Sequence, residues 1–227
     1  MISGVSMLFG GAPAPATVGT SLLHLNGANN STVFTDVSGK AWTRNSGAVI
    51  STTQSKFGGA SLYCRGGQLD AITSENSADF TFGTGAFTVE FWLYLSVVSG
   101  LQLLYDVRTP ANETPVPTIY ANGNSLLYYA NGADRITGAV LTTGVWGHVA
   151  VCRDGSGITR LFYSGLQVGS NYTDANNYIG SRVMLGNHGP GSAVPLHNGY
   201  IDEFLSTKGV ARYTANFTPP AAEHPNY

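Results

Sequence analysis

The sequence predicts an all-β fold, a two-sheet antiparallel jelly-roll sandwich, on three observations. Phe87 to Leu95 alternates with a strict period of two: Phe87, Val89, Phe91, Leu93 and Leu95 fall on one face, Thr88, Glu90, Trp92 and Tyr94 on the other. Successive side chains of a strand point to opposite sides, so this pattern marks a half-buried strand. Further strand-like runs recur at a spacing of about ten residues, the interval of a sandwich or barrel. No segment sustains a helical period with capping signals.

In chain order, strand signals begin at residues 21–26 and are broken by Gly27-Ala28-Asn29-Asn30; Asp36-Val37-Ser38-Gly39 makes another turn. Short runs follow at 48–51 and 60–64, then Phe87 to Leu95, then 101–107, 125–130, 148–153, 158–163, 166–169 and 200–205. Between Tyr163 and Leu166 stands Ser164-Gly165, a two-residue hairpin turn in which glycine is free to take positive φ. A single helical turn is expected at most near residues 76–79 or 207–209. Many short strands, each with one apolar face, must bury those faces against a second sheet, and a jelly roll does so while limiting exposed edges. The strands span residues 21–213. Residues 1–20, with Met7, Leu8, Phe9, Pro13 and Pro15, read as an extended apolar arm, and residues 214–227 as a Pro-rich tail.

Charged residues make up 11% of the 227, with a formal net charge of −2. That balance leaves no electrostatic footprint for nucleic acid or an anionic membrane. No stretch is long and apolar enough to span a bilayer, so no membrane insertion is expected. The opening residues are apolar but lack a basic region, and glycines interrupt them, so no signal peptide is expected either. Cys64 and Cys152 each fall in a strand-like run. They read as small buried hydrophobes, with a disulfide between facing strands as the alternative that geometry decides.

Several segments, in order, resemble the concanavalin A-like, laminin G-type domain. They are Lys56-Phe57-Gly58-Gly59-Ala60-Ser61-Leu62-Tyr63, the run from Phe80 to Trp92, Trp146-Gly147-His148-Val149-Ala150-Val151, Leu161-Phe162-Tyr163-Ser164-Gly165, Tyr178-Ile179-Gly180, Asn198-Gly199-Tyr200-Ile201-Asp202-Glu203-Phe204, and the run from Lys208 to Pro220. The last of these is similar to laminin G-like domains of tailed-phage virion proteins, and this resemblance implies a phage source.

Glucanases of this fold carry paired carboxylates in the pattern Glu-x-Asp-x-x-Glu. Retaining hydrolysis needs two carboxyl groups roughly 5 Å apart. Here the acidic strand reads Tyr200-Ile201-Asp202-Glu203-Phe204-Leu205, and alternation puts Asp202 and Glu203 on opposite faces. Glu90 is a lone carboxylate on its strand. Gly-x-Ser-x-Gly, His-Glu-x-x-His and phosphate-cradling loops are all absent. No enzyme is expected.

The resemblance implies that a Ca²⁺ is the one cofactor to consider, and hard cations want six to eight oxygen donors. Candidate ligands are Asp36 in its turn, Asp202 and Asp70. Asn26 and Arg65 stand where the family pattern often has Asp, which removes charge from plausible ligand positions. Tyr120, Asn122 and the pair Tyr128-Tyr129 set aromatic faces beside amides, a combination that suits sugar stacking and hydroxyl recognition and equally suits an ordinary tyrosine-rich sheet surface. Trp92 and His148 read as packing and hydrogen-bonding residues of the fold.

The resemblance and the apolar arm together point to a non-enzymatic virion protein on the phage particle surface. It would be a capsid decoration or cement protein, or a small tail component, partnered with the major capsid protein and with further copies of itself. Met7, Leu8 and Phe9 would dock on a neighbouring subunit. The alternative is a host-surface carbohydrate-binding or adhesion module, with glycans as partners.

Overall fold

The computed structural model describes residues 20–66, 69–108, 115–187, 196 and 198–227. In chain order its strands are β1 (Ser21–Leu23), β2 (Trp42–Asn45), β3 (Val49–Ser51), β4 (Ser61–Cys64), β5 (Ala71–Ser74), β6 (Phe87–Leu95), β7 (Leu101–Asp106), β8 (Thr118–Asn122), β9 (Ser125–Ala130), β10 (Ala133–Gly138), β11 (Trp146–Arg153), β12 (Ile158–Tyr163), β13 (Leu166–Thr173), β14 (Met184–Leu185) and β15 (Gly199–Lys208). Two antiparallel sheets result. The first runs β13-β12-β11-β6-β15-β4-β3, with β1 added beside β15; the second runs β10-β9-β8-β7-β14-β5-β2. The all-β, two-sheet expectation holds. The helical content among the described residues is one 3₁₀ turn, Ala78–Phe80, capped by the Ser77 hydroxyl accepting from Asp79 N. The turn allowed for at 207–209 is instead largely strand, because Thr207 and Lys208 continue the ladder with Thr88 and Phe87.

The period-two face of β6 forms the core. Phe87, Val89, Phe91, Leu93 and Leu95 join Ile72, Leu104, Tyr105, Ile119 and Tyr128 from the second sheet in one apolar cluster. Rings lock the sheets together: Phe204 of β15 meets Trp42 of β2 at 5.8 Å and Tyr105 of β7 at 6.2 Å between centroids. Burial of each such side chain contributes about 1.5–3 kcal/mol.

The half-buried expectation for β6 needs correction. Its outer face is covered as well, and only Tyr94 of the nine residues is partly exposed. After β15 the chain turns back over the first sheet. Thr88 accepts from Arg212 N and donates to Val210 O, both at 2.9 Å. Arg212 Nε lies 2.6 Å from Glu90 Oε1, His148 Nε2 lies 3.2 Å from Oε2, and the Tyr213 hydroxyl donates to Oε2 at 2.7 Å. Tyr213 and Phe217 stack on each other and meet Phe162 edge-on, enclosing Ala150 and Cys152 in a second apolar cluster. The run from Lys208 to Pro220 therefore serves the fold directly. Residues 214–227 likewise lie against the sheet: Phe217 N donates to Gly165 O, Asn216 accepts from Gln167 N, and His224 N donates to Glu203 Oε2.

Two glycines show why the sequence permits this. Ser164 and Gly165 both take positive φ, 49° and 82°, as a type I′ hairpin requires. A Cβ on Gly165 would fall 2.0 Å from Phe217 O, so the returning chain can approach only a glycine there. A Cβ on Gly58 would meet the Asn26 side chain at 1.9 Å.

The opposite-face expectation for Asp202 and Glu203 also fails. The ladder with β6 slips between Asp202 and Leu205, and Glu203 adopts φ 50°. Such a bulge breaks the two-residue alternation. Asp202 accepts from Lys56 N and Phe57 N, fixing the loop whose Phe57 packs on Trp92. Glu203 takes the C-terminal segment. Both segments cover the outer face. Cys64 and Cys152 are free thiols, the first in the inter-sheet core and the second in the outer cluster, so no disulfide joins them. Burial pushes both thiols up, Cys152 to about 12.

Burial opposes the charge on Glu90, but the His148 hydrogen bond and the charges around it outweigh burial and hold the carboxyl down at about 2. A carboxyl depressed in the folded state stabilises the fold above its unfolded value, and that contribution is lost as pH falls through the folded one. Glu90→Gln is therefore expected to cost about 3–5 kcal/mol at neutral pH, because Arg212 is left buried without its counter-charge. Urea titration checks this. The deficit should shrink between pH 4.5 and 2; a deficit independent of pH would contradict the assignment.

Candidate functional site

The C-terminal segment covers the middle of the first sheet's outer side, while β13 stays largely exposed; the outer face of the second sheet carries a separate set of surface side chains. The register of β8 and β9 decides which tyrosines stand there. Thr118 pairs with Tyr129, Ile119 with Tyr128, and Tyr120 with Leu127. Tyr120 and Tyr129 thus share the outer face with Thr118, while Tyr128 points into the core. Tyr128 is fully buried, and its hydroxyl lies 2.9 Å from that of Tyr178. As a ligand-contacting candidate it is corrected to a core residue: a one-residue shift along a strand reverses the face. Asn122 lies on the same outer face at the end of β8 and is exposed.

Tyr120 and Tyr129 line an open cleft of about 390 Å³ with Leu101, Leu103, Arg108, Thr118 and Asp134. β7 supplies the two leucines and β10 the aspartate, which pairs with Tyr129 just before a bulge between Asp134 and Ile136. Its polar groups are held in place. The Tyr120 hydroxyl donates to Asp134 Oδ1; burial, then that carboxylate, pushes its phenol pKa up. Arg108 Nε lies 3.1 Å from Asp106 Oδ2, its Nη2 donates to Thr118 at 3.2 Å, and Thr118 donates to Asp106 Oδ1 at 3.0 Å. The same guanidinium lies 5.6 Å from the centroid of Tyr129, within cation–π range. Two aromatic faces with fixed polar neighbours can stack on an apolar ring face and hydrogen-bond its hydroxyls. Arg108, Thr118 and Asp134 were missed in sequence because their roles depend on cross-strand register.

The proposed calcium ligands lie elsewhere. Asp36 accepts from the Ser21 hydroxyl at 2.6 Å, the Ser38 hydroxyl at 2.5 Å, Ser38 N at 2.7 Å and Trp42 Nε1 at 2.9 Å. Asp202 accepts three backbone N–H bonds, and burial nevertheless pushes its carboxyl up to about 7. Asp70 accepts from Gly47 N and Arg65 N. These oxygens face protein donors rather than a shared cavity, and that placement does not fit a cation needing six to eight oxygens. Among the described residues, one group of three potential ligands converges: His24, Glu203 and Glu223, with ligand atoms within 4.8 Å of one another. Its members already have protein partners: His24 and Glu203 bind each other and the C-terminal segment, and Glu223 accepts from Asn26 Nδ2. His24 Nδ1 lies 2.7 Å from Glu203 and Nε2 lies 2.8 Å from Asn226 Oδ1; the Glu203 contact, opposed by burial, pushes the imidazole up to about 9. Met7, Leu8 and Phe9 lie outside the described residues.

Comparison with known proteins places the fold. The family described as the Concanavalin A-like lectin/glucanases superfamily matches residues 66–206. No curated protein matches the chain in sequence. Among solved structures, Domain 4 of AbnA, a GH43 extracellular arabinanase from Geobacillus stearothermophilus solved in complex with arabinotriose, superposes with a TM-score of 0.63 at 16% identity, over 85% of this chain and 93% of that one. The Trypanosoma rangeli sialidase in complex with sialic acid gives 0.68 at 11% identity, over 89% of this chain and 32% of that one. The receptor-binding domain of botulinum neurotoxin type G gives 0.61 at 10% identity, over 86% and 49%. The chain thus spans about half the length of that toxin domain. At these identities the likeness is one of fold.

Proposed function

We propose that this chain, which belongs to the concanavalin A-like lectin/glucanases superfamily, is a saccharide-binding module whose ligand lies across Tyr120 and Tyr129 on the outer face of the second sheet. The observation that carries the reading is the pair of partly exposed tyrosines in an open cleft, each fixed by a polar neighbour before any ligand arrives. Preorganised aromatic faces lose little freedom on binding, which favours affinity. The reading is of binding rather than hydrolysis. Hydrolysis needs two carboxyl groups flanking the scissile bond, and among the described residues one carboxylate, Asp134, lines this cleft, with its Oδ1 accepting from Tyr120.

Arabinotriose, found with a domain of the same fold, is a suitable first probe within a panel of neutral oligosaccharides. Tyr129→Ala and Tyr120→Ala are each expected to weaken binding about tenfold, since about 1.4 kcal/mol of lost stacking is a factor of ten. Tyr128→Phe should leave affinity unchanged while lowering Tm. Isothermal titration calorimetry checks both. Undiminished binding in the two alanine variants would remove the site.

A second reading, favoured by the ordered resemblance of the run from Lys208 to Pro220, sets this module on a phage particle as a decoration protein beside the major capsid protein, with the cleft turned toward host glycans. Mass spectrometry of purified particles should then detect the chain in many copies; its absence would remove the setting and leave the binding module.

A further inference from the structure

The outer face of the second sheet carries another, larger cleft at its other edge. It measures about 820 Å³ and lies over β2, β5 and β14. Its walls combine Arg44 and Arg182 with Glu75, the amides of Asn45 and Asn76, and the apolar side chain of Met184. Two guanidiniums against one carboxylate give it a positive balance.

The groups in this cleft are not equally free. Glu75 Oε1 accepts from Ala41 N, and Arg44 Nε donates to Ser46 O. Arg182 differs. It sits just before β14, with Val183 buried in the core, so alternation turns Arg182 and Met184 outward together. It is partly buried, yet it makes no hydrogen bond or ion pair among the described residues. A guanidinium carries five N–H donors in a fixed planar fork that matches the two oxygens of a carboxylate or sulfate. The tyrosine cleft is a chemical contrast, because its arginine, Arg108, is already neutralised by Asp106.

We propose that this second cleft is an acidic-sugar subsite, in which Arg182, supported by Arg44, binds the carboxylate or sulfate of an anionic saccharide unit while Asn45 and Asn76 hydrogen-bond its hydroxyls. The proposal deepens the saccharide-binding reading and rests on it. The two clefts adjoin across β7 and β14. Neighbouring strands lie about 4.8 Å apart, so β8 and β5 are separated by about 14 Å across the sheet. One chain-like ligand crossing the strands can therefore place a neutral unit on Tyr120 and Tyr129 and an acidic unit on Arg182.

The test uses the full chain and three sugars that differ at one position: galactose, galacturonate and galactose 6-sulfate. At low salt the anionic sugars are expected to bind at least tenfold more tightly than galactose, with the preference shrinking as salt rises. Galacturonate against the sulfate distinguishes the two sources of charge. Arg182→Gln should abolish the preference with Tm unchanged, since the side chain has no partner to lose among the described residues; Arg44→Gln should reduce it, and Tyr120→Ala should leave it in place. Equal affinity for all three sugars, or a preference that survives Arg182→Gln, overturns the proposal. If neutral oligosaccharides bind at the tyrosine cleft while charge adds nothing, the acidic subsite falls and the binding module stands. If no saccharide binds, both fall.

Discussion

One buried carboxylate organises this molecule. Glu90 stands in the middle of β6, on the face turned away from the core, and is fully buried. An isolated carboxylate in that position would carry a desolvation cost of several kcal/mol. Arg212, His148 and Tyr213 meet that demand together. Two of the three are tied to the stretch that returns after β15, so satisfying Glu90 requires the C-terminal segment to lie on the sheet. Once it does, Tyr213 and Phe217 cover Phe162 and Cys152, and the rest of the segment follows through Gly165 and Glu203.

The consequence is an asymmetric sandwich. The first sheet is buried on both sides over much of its middle, while the second is buried on one. The outer side chains of the second sheet mix polar, aromatic and aliphatic groups, and they line clefts. Polar contacts that would be idle on a plain surface hold the tyrosine cleft in shape: Asp106 with Arg108 and Thr118, and Asp134 with Tyr120. The face that is left open is also the one whose groups suit a sugar.

Much of the first sheet was legible in the sequence, because its central strands are long, apolar and regular. β6 was placed to the residue, and the Ser164-Gly165 turn was recognised from its chemistry. The second sheet was harder. β2, β5, β8, β10 and β14 were not anticipated as strands; several are short, and Trp42-Thr43-Arg44-Asn45 or Ala133-Asp134-Arg135-Ile136 offers little alternation to detect. The site suffered accordingly. Tyr120, Asn122, Tyr128 and Tyr129 were grouped as candidate sugar contacts; the first two and Tyr129 share one outer face, but Tyr128 does not, because its facing follows from a register that only pairing reveals. The bulge at Asp202 and Glu203 was invisible for the same reason, since it follows from demands made by a loop and by the C-terminal segment, both distant in sequence.

Amide hydrogen exchange with and without a bound oligosaccharide tests the central claim most directly. The account predicts new protection in β8, β9 and β10, extending to β5 and β14 for an acidic ligand, with residues 210–227 already protected in the free chain and unchanged on binding. Fast exchange across residues 210–227 in the free chain, or ligand protection confined to the first sheet, would contradict it.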